Sequence, residues 1–367
     1  MPANSTNDDI GHMRHALRMA ARALGQAAPN PAVGCVIVSR DGRIVGRGWT
    51  QPGGRPHAET VALSQAGAQA QGSTAYVTLE PCAHQGQTPP CADALIAAGI
   101  ARVVGAVTDP DARVNGAGFG RLEAAGVRVA RGVCEAEARA LNAGFFNARL
   151  RKTPLVALKI AESADGFVAD ANGNSKWITS IAARQHGHLL RARHEAILTG
   201  IGTVIADDPL LTCRLPGLEH RSPVRVVLDS SLRLSPSSQL ARSARTTRVI
   251  VFTAAAGGGD DLAALGVEIV RAGRDKTGRV ELASVLEHLA GMTRVLVEGG
   301  PTLNAALLNR GLADVVHLYR APLLLGAGSR SALGVLDSGG LGSAPKLRLL
   351  SREQLGPDVL ESFEVTG

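Results

Sequence analysis

His57-Ala58-Glu59, followed after an apolar run by Pro81-Cys82-Ala83-His84-Gln85-Gly86-Gln87-Thr88-Pro89-Pro90-Cys91, is the stretch from which the rest of the chain is read. One imidazole and two thiolates, from His57, Cys82 and Cys91, suit a single tetrahedral zinc ion whose fourth position stays open for water, the ligand pattern of a catalytic site. Glu59 places a carboxylate two residues after the histidine, near enough to carry protons to and from that water. A non-ligand glutamate beside such a set is the general acid/base of zinc deaminases. The common form of that motif has two residues between its cysteines; here eight separate Cys82 from Cys91. A structural zinc site would need a fourth protein ligand. His84 would complete it, but Glu59 would then have no role.

The flanking sequence places these residues on an α/β framework. Met13, Ala16, Leu17, Ala20 and Leu24 keep helical spacing behind Asp9, and Pro29-Asn30-Pro31 stops that helix. Residues 1–8 read as a frayed tail. Residues 33–38 read as a buried strand, Asp41-Gly42 as a hairpin turn into a strand over 44–48, and His57 as the front of a helix reaching Gln65. A strand over 75–79 delivers Cys82, and Cys91 opens a helix over 91–98. Helix N-termini favour thiolate over thiol, and open α/β sheets bind ligands beside the carboxyl ends of their strands. Strands over 103–107 and 127–130, a helix over 116–125 and a closing helix over 134–150 complete a unit of residues 1–152. The polar-basic stretch 149–154 marks the boundary with a second unit, residues 153–367. Here apolar runs at 155–161, 196–199, 224–229, 249–252, 267–270 and 294–298 alternate with helical stretches, among them one capped by Ser180, predicting a sheet covered on both faces. Residues 254–260, with Gly257-Gly258-Gly259, read as a flexible surface loop.

Composition narrows the functions. A chain of 367 residues holds two or three domains with ample core. The net charge of +7 permits an anionic partner. With aromatics at 3% and no dense Lys/Arg block, nucleic acid is not expected; scattered arginines suit a phosphorylated small molecule. Five cysteines without a pairing pattern point to a reducing, cytoplasmic setting. No apolar run has the length of a signal core or a membrane span.

The insert between the two cysteines resembles the deaminase domain of the RibD family, bifunctional proteins of riboflavin biosynthesis that join a pyrimidine deaminase to a pyrimidine reductase. The second half resembles that family's reductase domain in five fragments. They are Lys159-Ile160-Ala161-Glu162-Ser163-Ala164-Asp165-Gly166, Ser175-Lys176-Trp177-Ile178-Thr179, Leu190-Arg191-Ala192, the run from Gly200 through Asp207-Asp208-Pro209 to Arg214, and Val297-Glu298-Gly299-Gly300-Pro301-Thr302. The last follows a buried strand and opens a helix, where glycines let backbone N–H groups approach a phosphate. The fingerprint G-x-G-x-x-G is absent after the first strand, which argues against a Rossmann domain.

The resemblance implies an α/β fold: an N-terminal cytidine-deaminase-like three-layer αβα domain followed by a dihydrofolate-reductase-like α/β domain. It implies one zinc ion per chain, NADPH as reductant and a homo-oligomer, dimer or tetramer. The chain would deaminate 2,5-diamino-6-ribosylamino-4(3H)-pyrimidinone 5′-phosphate and then reduce its ribosyl group to ribityl. By carry-over, Asn30 reads the pyrimidine edge, His84 contacts substrate beside the metal, and Asp109 and Asn115 flank a loop over the ribose phosphate. Ala161, Trp177, Thr203, Asp207 and the turn Gly300, Pro301, Thr302, Leu303 would contact NADPH. Ser175, Arg191, Leu211, Arg214 and Glu298 would contact the sugar phosphate, with Arg191 and Arg214 supplying guanidinium forks. Lys159 and Glu298 would pair across the substrate, orient the ribose and assist protonation. Three positions depart from the family pattern: Thr50 stands where histidine is usual, Gln87 where lysine or arginine is usual, and the loop 109–116 is atypical. Arg55 or Arg113 would compensate. Competing readings are a zinc deaminase of another nucleoside or base fused to a reductase of different substrate, and a zinc-stabilised RNA-binding protein.

Overall fold

The computed structural model describes residues 7–85, 89–110, 115–337 and 339–366. The chain forms two compact units, Met1–Lys152 and Thr153–Gly367. No helix among the described residues is long and apolar enough to cross a membrane.

The first unit runs α1 (Asn7–Ala20), β1 (Gly34–Val38), β2 (Ile44–Trp49), α2 (Ala58–Ala66), β3 (Thr74–Val77), α3 (Cys91–Ala97), β4 (Arg102–Gly105), α4 (Ala117–Ala124), β5 (Arg128–Arg131), α5 (Glu135–Leu141) and α6 (Ala143–Leu150). Its five-stranded sheet has the order β2-β1-β3-β4-β5, with β1 antiparallel to both neighbours and β3, β4 and β5 parallel. Two glycines show why α1 and α2 cover opposite faces. A Cβ on Gly34 would lie 1.9 Å from the Ala16 carbonyl oxygen of α1, and one on Gly48 would lie 2.1 Å from that of Ala58 in α2. Gly48 pairs with Cys35, the neighbour of Gly34 on β1, and adjacent strand residues point to opposite faces. Three layers result. Asp9, buried in α1, accepts two hydrogen bonds from Arg102 at 2.8 and 2.9 Å and one from Tyr76 at 2.9 Å, tying that helix to β3 and β4.

Two local expectations are corrected. The first helix ends at Ala20, and the chain passes on in turns while Leu24 packs on Ala23, Ala27 and Ala32. The closing helix over 134–150 is two helices that meet at Asn142. The buried Asn142 amide accepts from the Ala32 N–H at 2.9 Å and donates to the Ala32 carbonyl at 3.0 Å, a tertiary pairing that helical periodicity does not reveal.

The second unit contains β6 (Leu155–Ser163), β7 (Phe167–Ala169), α7 (Ile181–Ala192), β8 (Ala196–Gly200), α8 (Ile201–Asp207), β9 (Val224–Leu228), α9 (Gln239–Arg242), β10 (Val249–Thr253), α10 (Asp260–Ala264), β11 (Glu268–Arg271), α11 (Leu282–His288), β12 (Arg294–Val297), α12 (Pro301–Asn309), β13 (Val315–Ala321), β14 (Arg330–Ser331), β15 (Lys346–Leu355) and β16 (Asp358–Thr366). Nine strands form one sheet, β11-β10-β9-β8-β12-β6-β13-β16-β15. It is parallel from β11 to β13, and the hairpin of β15 and β16 is added antiparallel. Ser180 caps α7 by accepting from Ala183 N–H. The apolar runs read from the sequence end at 294–298 and do not include β13, β15 or β16. β15 is exposed along nearly its whole length, so it lacks the half-buried alternation by which a strand is read. The glycine-rich loop at 254–260 is tethered: Arg271 donates to the carbonyls of Ala255, Gly257 and Gly258 at 2.7, 3.3 and 2.6 Å.

Candidate active sites

In the first unit α2 presents His57 at its N-cap and Glu59 in its first turn, while Cys91 opens α3. Cys82 follows β3 through Pro81. His57 Nδ1 lies 3.3 Å from Cys91 Sγ and 3.7 Å from Cys82 Sγ, and the three donor atoms lie within 4.8 Å of one another. A tetrahedron with metal–sulfur and metal–nitrogen distances of about 2.3 and 2.1 Å has N···S edges of about 3.6 Å, so the set fits zinc. Among the described residues His84 does not join this cluster. The Cys91 backbone N–H donates to Cys82 Sγ at 3.3 Å. Hydrogen bonds from Cys91 and His57 hold Cys82 down, at about 4, and sharing that bond pushes Cys91 up. Glu59 is only 4% exposed, and burial pushes its carboxyl up to about 7 against the attraction of His57.

A cavity of about 90 Å³ in this unit is lined by His57, Glu59 and Cys82 together with Asn30, Thr50, Arg55, Glu80, His84, Asp109, Phe145 and Arg149. Asn30, His84 and Asp109 are thus brought to the metal set. Asn115 is not: it is exposed in the turn before α4. Gln87 and Arg113 lie outside the described residues. Asn30 Nδ2 donates to the Gly54 carbonyl at 3.3 Å, and the buried atom His84 Nδ1 has no hydrogen-bond partner among the described residues. Thr50 Oγ1 accepts from Val33 N–H and donates to the Pro31 carbonyl, both at 3.0 Å. The residue that departs from the family pattern therefore braces the segment carrying Asn30.

Sequence reading missed Glu80 and Arg149. Buried Glu80 accepts four backbone N–H groups, from Asp109 at 3.1 Å, Gly116 at 2.9 Å, Gly118 at 2.8 Å and Phe119 at 3.3 Å. It holds both ends of the loop that includes Asp109 and Asn115. Its position directly before Pro81-Cys82 was the available signal. Glu80→Gln exchanges one acceptor oxygen for a donor facing N–H groups, and hydrogen bonds to a charged acceptor contribute about 1.5–3 kcal/mol each. The expected result is a rise of about tenfold or more in deaminase KM with a smaller change in kcat. A proportional loss in kcat with KM unmoved would show that Glu80 does not act through substrate grip.

In the second unit a cavity of about 630 Å³ gathers Lys159, Ala161, Ser175, Trp177, Arg191, Thr203, Asp207, Leu211, Arg214 and Glu298. These are distant in sequence and converge at the ends of β6, β8 and β12 and along α7. Gly300 caps α12 with Thr203 Oγ1 3.8 Å from where its Cβ would be; Thr302 and Leu303 line a second cavity. Glu298 is clamped by Arg191, whose Nε and Nη2 donate to its two oxygens at 2.7 and 2.8 Å, while Nη1 donates to the Thr212 carbonyl at 3.0 Å. The ion-pair partner of Glu298 is thus Arg191, where Lys159 was expected. The Arg191 fork is filled by protein, which leaves Arg214 as the available guanidinium. Lys159 Nζ stands over the Tyr319 ring, 5.6 Å from its centre. Burial raises Glu298, but Arg191 and Lys159 outweigh it and bring the carboxyl to about 2. Burial and Arg191 lower Lys159 while Glu298 opposes them. Trp177 is 67% exposed, with Arg184 stacked 4.6 Å from its ring centre.

His188 and Tyr319 also line this cavity without having been anticipated. Ala183, Arg184, Gly187, His188 and Arg191 follow one face of α7, a spacing that was legible. Tyr319 lies on the unrecognised β13.

Residues 154–360 match the RibD C-terminal domain, and residues 6–107 match the cytidine and deoxycytidylate deaminase zinc-binding region. The chain is 42% identical to the riboflavin biosynthesis protein RibD of Escherichia coli (strain K12), over 96% of this chain and 98% of that protein. A solved structure of Acinetobacter baumannii RibD is 41% identical and superposes with a TM-score of 0.86, covering 98% of this chain and 99% of that one. Similarity at 34% identity and a TM-score of 0.84, with the same coverage, extends to a diaminohydroxyphosphoribosylaminopyrimidine deaminase/5-amino-6-(5-phosphoribosylamino)uracil reductase from Thermotoga maritima. With both halves of the chain matched in order and over nearly their full length, this protein belongs to the RibD family of bifunctional deaminase–reductases of riboflavin biosynthesis.

Proposed function

We propose that the Met1–Lys152 unit deaminates 2,5-diamino-6-ribosylamino-4(3H)-pyrimidinone 5′-phosphate at the carbon bearing the 2-amino group. The Thr153–Gly367 unit then reduces the ribosyl group with NADPH, giving 5-amino-6-(5-phosphoribitylamino)uracil. The observation that carries this reading is buried Glu59 beside the His57, Cys82 and Cys91 donors, in one cavity with Asn30 and His84. The activities stated for the Thermotoga maritima relative support it.

His57, Cys82 and Cys91 would hold zinc, which would supply the Lewis acidity that makes water a nucleophile near neutral pH. Glu59 takes a proton from the attacking water and gives a proton to the departing amine, so that ammonia leaves and a carbonyl remains. A carboxyl pushed to about 7 suits both transfers, since a catalytic pKa near the working pH serves acid and base alike. Asn30 reads the pyrimidine edge, His84 and Asp109 contact the substrate, and Asn115 flanks the loop that Glu80 holds beside them. In the second unit Ala161, Trp177, Thr203, Asp207 and the Gly300–Leu303 turn would hold NADPH, which would supply a hydride. Lys159 donates the accompanying proton, Glu298 and Arg191 orient the ribose, Ser175 and Leu211 line its path, and Arg214 takes the phosphate. The five cysteines are free, in keeping with a reducing cytoplasm. The exposed Leu347, Leu349 and Leu350 on edge strand β15 support assembly as a dimer or tetramer, because an open apolar strand edge invites pairing.

Mass spectrometry of the zinc-loaded protein with this ribotide tests the scheme. Exchange of amine for carbonyl without NADPH, then a gain of two hydrogens when it is added, is the expected sequence. Deamination without reduction would overturn the assignment of the second unit.

A further inference from the structure

The loop from Asp208 to Arg214 brings Leu211 and Arg214 to the cavity that holds Lys159 and Glu298. Leu211 has a φ of 55°, a left-handed conformation that a branched L-residue keeps only where its surroundings over-determine it. The segment before Arg214 is tied to the framework at four residues. Gln239 N–H donates to Asp208 Oδ1 at 2.8 Å, and fully buried Arg225 donates through Nη1 to the Leu210 carbonyl at 3.3 Å. Arg191 holds the Thr212 carbonyl at 3.0 Å, and Cys213 N–H donates to Ser222 Oγ at 3.1 Å. Among the described residues Arg214 itself has one such tie. Its backbone N–H donates to His188 Nδ1 at 3.2 Å.

That bond requires one protonation state of the imidazole. The Thr212 carbonyl lies 3.1 Å from the same ring nitrogen, but it already accepts from Arg191. The Arg214 N–H points at Nδ1, so Nδ1 is the acceptor and the ring proton sits on Nε2. Burial and the neighbouring cations Arg191 and Arg214 push His188 down to about 4, which keeps the ring neutral near pH 7.

His188 and Arg191 stand three residues apart on α7 and therefore share a face. Arg191 is committed to Glu298 and Thr212. The Arg214 guanidinium has no ion pair among the described residues, and its side chain is exposed. A long exposed side chain loses rotamer freedom when it takes up an anion, and a backbone fixed in advance lowers that cost.

Resting on the reading above in which Arg214 takes the substrate phosphate, we propose that His188 is a positioning residue of the reductase, whose Nδ1 fixes the Arg214 backbone and aims the guanidinium at that phosphate. The test measures KM and kcat of the full chain for reduction of the deaminated ribotide at saturating NADPH. It compares the wild type with His188→Leu, His188→Asn, Arg214→Ala and the double variant of His188→Leu with Arg214→Ala. Leucine fills the site without an acceptor. Asparagine sets Oδ1 as many bonds from Cα as Nδ1 and has a helix propensity like that of histidine. A neutral hydrogen bond contributes about two- to tenfold to an equilibrium. His188→Leu should therefore raise KM by about that factor with little change in kcat, the mark of lost uniform binding. His188→Asn should return KM towards the wild type. In the Arg214→Ala background His188→Leu should add nothing, because residues that act through one contact are not additive. Additive losses, a fall in kcat with KM unmoved, or no recovery with asparagine would each overturn the positioning role and leave Arg214 on the phosphate. A KM that Arg214→Ala does not raise would overturn the phosphate assignment, and the positioning role with it.

Discussion

Glu59→Gln is expected to keep zinc and lose deamination by about 10²–10⁴-fold, the usual contribution of a positioned acid/base. The three metal donors come from His57, Cys82 and Cys91, so the substitution leaves the ligand set whole. The amide keeps the shape of the side chain and removes the carboxylate that we propose accepts and returns a proton. Burial already favours the neutral form of Glu59, holding the carboxyl at about 7, so a neutral amide should be well tolerated by the fold. Reduction of the already deaminated ribotide should continue at the wild-type rate, because Lys159, Glu298 and Arg214 lie in a different unit. Metal analysis together with separate assays of the two half-reactions measures this. Equal loss of both activities would sink the model of independent sites, and loss of zinc would make Glu59 a structural element of the metal set.

Glu298→Gln should have the largest effect on the second unit. Arg191 and Glu298 form a two-bond ion pair whose side chains are only 14% and 13% exposed. Removing one partner from such a pair costs about 3–5 kcal/mol because the other charge stays buried. Here the residual charges are two, Arg191 and Lys159. A loss of about 3 kcal/mol in a unit of this size corresponds to a fall of about 6–12 °C in its unfolding midpoint. Displacement of the reacting groups by about 1 Å costs on the order of 10²-fold in rate, so the reductase should fall by at least that much while deamination persists. The sign of the pH effect follows from the depressed carboxyl. Its value is about 2 in the folded chain against an ordinary 4.5. The stability it contributes is therefore complete above about pH 4.5 and is lost as the pH falls through 2. The variant should lack that part of the acid dependence. Thermal midpoints that fall in parallel for both proteins between pH 5 and pH 2 would refute the assignment of this carboxylate as the buried charge.

The comparison of Thr50 with Glu80 shows what sequence offers and withholds. Thr50 drew notice because the family usually has histidine there, yet that difference alone says nothing about its two backbone hydrogen bonds. Glu80 drew none, although it organises the neighbouring loop through four N–H groups. Both work through backbone atoms brought close by the fold. Such partners leave no residue-type pattern to read.

The metal set, its glutamate and the alternation of strands and helices were legible because each depends on residue type and short spacing. His57, Glu59 and Cys91 are fixed by two helix starts, and the buried strands declare themselves as apolar runs. The sequence alone therefore determined the two-unit α/β organisation and the donor set of the first site. Only the tertiary structure decided which charges pair. Arg191 and Glu298 lie 107 residues apart, and a bidentate bond between them cannot be told from a Lys159–Glu298 pair by composition or spacing. It also decided that Asn142 breaks the closing helix and that β15 joins the sheet. In each case local propensity left more than one conformation open, and a contact distant along the chain selected one.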